Sequence, residues 1–134
     1  MNKIIQNAIQ NLETGEIIKS TGVHDFTTTT FKNGSFVACD GGHEYIRRAG
    51  DIASMGVKWI DLSLDDKSSL AEYKDCLVWG TLKGKKRIFV RLKECSTSHL
   101  ENILKTQPQI TDSIVGSIIR SILNDRLEIE AVSL

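Results

Sequence analysis

Proline occurs once in this 134-residue chain, cysteine three times, and the 17 Lys and Arg residues are matched by 17 Asp and Glu. Each shortage excludes something. Cys39, Cys76 and Cys95 are odd in number, far apart and without CxxC spacing, so neither a disulfide framework nor a complete cysteine zinc site can be drawn. A reducing, cytosolic setting is expected. The zero formal charge indicates neither a bulk polycation for duplex DNA nor an acidic DNA mimic, so any charge-driven function must be local. No apolar run approaches the roughly 18 residues of a membrane span, and the start, MNKIIQNAIQ, is too polar for a signal-peptide core. No GxGxxG or GxxxxGK[ST] occurs, which removes the dinucleotide fingerprint and the P-loop.

What remains has the balance of a folded domain, 40% hydrophobic and 25% charged, of a size that predicts one domain over residues 1–134. Within it, residues 1–62 read as a β-rich half and residues 76–134 as a hairpin plus two helices. IIQNAI, EIIKS, DFTTTTF and SFVAC are short segments rich in Ile, Val, Thr and Phe, separated by turn residues, and predict strands. Asn33-Gly34 between the last two favours a type I′ turn and a hairpin over 26–39. HEYIRRAG, after Asp40-Gly41-Gly42, reads as two helical turns, and VKWIDLSL as a further strand. DDKSSLAEYKD is either a loop or a short helix. The runs around Lys83-Gly84-Lys85-Lys86 predict a second hairpin.

Beyond that hairpin the period changes. Ser98 and Glu101 match a capping box opening a helix over HLENILKTQ, which Pro108 ends. Thr111 or Asp112 can cap the next helix, where Ile114, Val115, Ile118, Ile119, Ile122 and Leu123 form one apolar stripe whose partner periodicity does not identify. The expected fold class is therefore α+β, with N-terminal and central hairpins forming an antiparallel sheet and two C-terminal helices.

The densest polar constellation is Asp40, Gly41, Gly42, His43, Tyr45, Arg47 and Arg48. Paired glycines let backbone amides approach a ligand, a helix start would add its positive end, and two arginines offer forked donors suited to phosphate. The same residues also read as a tight turn followed by surface charges. Lys83, Lys85, Lys86, Arg87 and Arg91, interrupted by Phe89 and free of acidic neighbours, form a basic patch able to grip a phosphate backbone, or simply a solvated edge hairpin. Trp79 is the candidate stacking residue, although tryptophans of small domains also build cores. His24, His43 and His99 match no compact ligand spacing, and Cys39–His43–Asp40 can be drawn as a hydrolytic set only if Cys39 is not buried packing.

HDF…VACDGGHEYIRRAGD and the later Val78-Trp79-Gly80-Thr81…Ser96…His99 resemble a family of small bacteriophage and prophage proteins with an HDF…VDGGxxYxRR pattern. The resemblance spans most of the chain. It implies a zinc-stapled β-knuckle, but the four knuckle cysteines would fall near Asn11, Thr14, Thr29 and Phe31, which are poor zinc ligands. The same strand layout without metal or other cofactor is expected. The resemblance further implies a phage counter-defence protein of the bacterial cytosol that is not an enzyme. It would bind and sequester a phosphorylated ligand, such as a nucleotide immune signal, through the DGG…RR residues and an aromatic, as a monomer or homo-oligomer. The alternatives are a protein inhibitor of a bacterial defence effector such as a CRISPR nuclease, or a single-strand nucleic-acid binder using residues 83–93.

Overall fold

Isoleucines spaced along Ile4–Asn11 and Ile17–Ser20 make these segments β1 and β2, which pair antiparallel from Asn7 opposite Ser20 to Gln10 opposite Ile17. The computed structural model describes residues 3–20, 26–41, 47–50, 56–110 and 112–133. β1 is central in its sheet, flanked on the other side by β6 (Trp59–Asp61) and β7 (Leu64–Asp65), the two short strands into which VKWIDLSL resolves. A central strand has neighbours on both edges and a covered face. The Gln and Asn that interrupt its apolar residues are accordingly buried and bonded: Gln6 Nε2 donates to the Leu62 carbonyl at 2.8 Å and Asn7 Nδ2 to the Asp40 carbonyl at 2.8 Å.

A three-stranded antiparallel sheet follows, made of β3 (Phe26–Thr30), β4 (Phe36–Asp40) and β5 (Arg47–Gly50). The 26–39 hairpin forms, but its turn is not type I′, since no residue other than glycine has positive φ among the described residues. The Phe31 amide instead donates to the Ser35 carbonyl, the Gly34 amide to the Phe31 carbonyl, and Gly34 alone is left-handed at φ +87°. This is the three-residue arrangement that places a left-handed residue last, and Asn33 Oδ1 holds it by accepting from the Ser35 amide at 3.0 Å. The helix expected over HEYIRRAG is not formed where the structure describes it. Residues 47–50 are strand, with Asp40 opposite Arg47 and Val37 opposite Gly50.

The chain divides into two compact units, residues 1–68 with 80–89, and residues 69–79 with 90–134. In the first, Ile9, Ile18, Phe31, Val37 and Cys39 form a buried cluster with Val57 and Trp59 packed against it. In the second, α1 (Leu70–Cys76) replaces the polar stretch that read as loop or helix, because Ser69 and Glu72 make a reciprocal capping box. The second helix of this unit, α2 (Thr97–Thr106), is capped by Ser96, whose hydroxyl accepts from the His99 amide, and not by Ser98. The next helix, α3 (Ile114–Ser133), is entered through Ser113, whose hydroxyl accepts from the Gly116 amide, and not through Asp112; Thr111 lies outside the described residues. Both α1 and α2 pack on α3, which identifies the partner of the apolar stripe. Ile118, Ile119 and Ile122 are buried there, while Ile114 remains exposed.

The second hairpin joins β8 (Val78–Lys83) to β9 (Lys86–Arg91). Its two-residue turn has Gly84 first, at φ +66°, and no positive φ at Lys85, which is the signature of type II′. Residues 80–89, the distal part, group with the first unit and the base with the second. No helix among the described residues is long and apolar enough to cross a membrane.

Candidate anion-binding site

The residues singled out from the sequence separate into three groups. Gly42, His43 and Tyr45, with His24 and Thr111, lie outside the described residues. Asp40 ends β4 and Gly41 follows it, while Arg47 and Arg48 are consecutive positions of β5. A strand start supplies no cluster of free amides, so the helix-end component of the expected phosphate cradle is absent at 47–50. Trp79 is half-buried in β8 and belongs to the second unit, and Trp59 packs on the first unit's core. Cys39 is fully buried and its thiol donates to Asn7, at 3.1 Å to the carbonyl and 3.2 Å to Oδ1. That makes it core, not a nucleophile.

The basic hairpin divides too. Lys83, Lys85, Lys86 and Arg87 are exposed at and beside its turn. Arg91 is not part of that patch: it is buried at 6% exposure, and its Nη1 lies 3.9 Å from Asp75 Oδ1. Asp75 also pairs with Lys93. The hydrogen bond from Lys93 is the main reason its carboxyl is held below the ordinary value.

The distal hairpin meets a residue that its own sequence does not reveal. Lys19 of β2 places Nζ 6.0 Å from the centre of the Phe89 ring, at the outer limit of a cation–π contact. Burial pushes the Lys19 ammonium below its ordinary pKa, and the nearby Arg87 guanidinium pushes it further in the same direction. Among the described residues neither cation has a carboxylate partner, and residues 76–93 contain no acidic side chain. Arg87 lies across Gly80. A Cβ there would sit 3.0 Å from both its Nε and Nη2, so the missing side chain makes room for the guanidinium. Two cations that feel one another's charge, one partly desolvated and neither paired with a carboxylate among the described residues, can attract an anion. Periodicity missed Lys19 because nothing local distinguishes it from any other strand lysine.

The positions where the resemblance would put zinc ligands also converge, through hydrogen bonds. Asn11 is fully buried; its Nδ2 donates to Thr29 Oγ1 at 3.1 Å and to the Thr30 carbonyl at 3.3 Å. Its Oδ1 accepts from the Glu13 and Thr14 amides at 2.8 and 3.2 Å. Phe31, the fourth position, is buried in the adjoining apolar cluster. No group of three His, Cys, Asp or Glu side chains able to hold a metal occurs among the described residues.

Fold and site together define an α+β protein whose second β-hairpin carries exposed cations, Lys83, Lys85, Lys86 and Arg87, that no carboxylate neutralises among the described residues. No family model, curated protein or solved structure matches the chain.

Proposed function

We propose that this chain is a non-enzymatic, phage-encoded counter-defence protein that captures and holds a phosphate-bearing ligand of the nucleotide class beside Lys19, Arg87 and Phe89. The observation that carries the ligand class is the Lys19 ammonium over the Phe89 ring, close enough to Arg87 to feel its charge, with neither cation paired to a carboxylate among the described residues. A phosphate between them would supply the missing counter-charge and accept forked hydrogen bonds from Arg87. Holding a ligand needs no nucleophile, general base or metal. The phage setting rests on the resemblance at HDF…DGG…RR. A second reading, binding of single-stranded nucleic acid, is favoured by the exposed run of Lys83, Lys85 and Lys86, which extends the cationic surface beyond one phosphate.

Calorimetric titration of the wild type and of Lys19→Met with Arg87→Gln distinguishes these readings, with pyrophosphate, ATP and a single-stranded oligonucleotide as probes. ATP is expected to bind the wild type and to bind the double variant about tenfold or more weakly, with intact nucleotide recovered on denaturation. Equal binding by the variant, or hydrolysis of the nucleotide, overturns the proposal. If only the oligonucleotide binds, and log K falls by roughly 0.7 per phosphate contacted for each tenfold rise in salt, the second reading replaces the first.

A pH dependence follows. The bound anion favours the protonated lysine, so affinity is constant while Lys19 is charged. It falls as the pH rises through a pKa lying below the ordinary 10.5. Lys19→Met is expected to remove that alkaline limb, checked by repeating the titration across alkaline pH.

A further inference from the structure

The second unit holds an open cavity of about 480 Å³ along α1 and α3, a volume within the range of small-molecule sites. We infer that it binds a small organic anion, a carboxylate on a short apolar body, with the carboxylate at Arg126 and the body against Leu70, Ala71 and Ile122.

The charges in the cavity decide the sign of the ligand. Four of the five charged side chains that line it neutralise one another, Lys74 with Asp125 and Lys93 with Asp75. Arg126 is the one left over. Its Nη1 donates to Thr97 Oγ1 at 3.0 Å, and its Nη2 donates to the Lys93 and Cys95 carbonyls at 3.0 and 2.8 Å. All three acceptors are neutral, so the positive charge is uncompensated among the described residues. A guanidinium has five N–H donors, and these three bonds leave others for a ligand while fixing the group in place. An anchored donor loses little freedom on binding. Behind Asp75, the buried Arg91 adds positive charge, and its Nε is without a hydrogen-bond partner.

Both aspartates of the cavity are already paired with lysine, which leaves nothing to attract a cationic ligand. The apolar wall decides the rest of the ligand. Ile122 is buried, whereas Leu70 is 58% exposed, so an aliphatic or aromatic body lying on Leu70 would remove apolar surface from water. A bare phosphate could use the guanidinium but not that wall. This site shares no residue with the one at Lys19 and does not rest on that reading.

The test is an NMR titration of the full chain with sodium hexanoate, hexanol, hexylammonium and inorganic phosphate. Hexanoate is expected to give saturable amide shifts around Leu70 and Arg126, with the other three probes binding about tenfold or more weakly. Arg126→Lys keeps the charge and loses the fork, and is expected to weaken hexanoate binding. Because Arg126 also ties Lys93, Cys95 and Thr97 together, Leu70→Asp provides the independent variant: it changes an exposed residue at a helix start that tolerates an acid. Loss of hexanoate binding in Leu70→Asp with an otherwise unchanged spectrum supports the assignment. Shifts that do not saturate, equal binding of hexanol or phosphate, or unaltered binding in Leu70→Asp overturn it.

Discussion

Replacing Phe31 with alanine is expected to destabilise the first unit by about 3–5 kcal/mol, the range for truncating a buried phenylalanine. Phe31 is 3% exposed and packs with Ile9, Ile18, Val37 and Cys39. Its ring follows β3 directly, and its backbone closes the hairpin by donating to Ser35 and accepting from Gly34. The surrounding strands are held in register from Phe26 opposite Asp40 to Thr30 opposite Phe36, so they have little freedom to close over the void. Urea unfolding followed by tryptophan fluorescence in a Trp79→Phe background, which leaves Trp59 as the reporter of the first unit, measures the effect. A loss under about 1 kcal/mol would mean that the apolar cluster can collapse around the missing ring, contrary to the close packing usual in protein interiors. Phe31→Leu, which retains most of the volume, is expected to lie between the two.

Asn11→Leu is expected to lose about 2–4 kcal/mol, although leucine is similar in size and more apolar. The side chain makes four hydrogen bonds, two donated to Thr29 and Thr30 and two accepted from Glu13 and Thr14. Leucine removes one partner from each, and stranding a buried polar group costs about 1–3 kcal/mol. The Glu13 and Thr14 amides can recover some of this loss by hydrating, since both residues are exposed; Thr29 is buried and cannot. Asn11→Asp keeps the two acceptors and loses the donors, so it separates the two halves of the clasp. If Asn11→Leu unfolds at the wild-type urea concentration, these hydrogen bonds contribute nothing measurable to holding Asn11, Thr14 and Thr29 together. Phe31 and Asn11 are linked through Thr29 and Thr30, so the double variant is expected to depart from the sum of the single losses.

The sequence by itself determined the inventory of elements. Strand segments, the glycines of both hairpin turns, the proline after α2 and the apolar stripe of α3 are local signals, each expressed within a few residues. They predicted the α+β class and both hairpins. They could not choose between Ser96 and Ser98 as the cap of α2, because both lie at its start and only the backbone path selects which hydroxyl reaches an amide. They read 47–50 as helix because the preference for strand comes from pairing with β4, an interaction the segment does not contain.

Tertiary structure alone decided the charges. Arg91 and Arg87 look alike in a basic run, yet Arg91 is buried beside Asp75, while Arg87 is exposed near Lys19 and has no carboxylate partner among the described residues. Nothing in the local sequence marks Lys19 or Asn11; the one joins the candidate site and the other ties the 13–14 turn to Thr29 and Thr30. The physical reason is common to all four residues. Burial and neutralisation depend on which distant side chains arrive within a few ångströms, and no periodicity in the chain encodes that meeting.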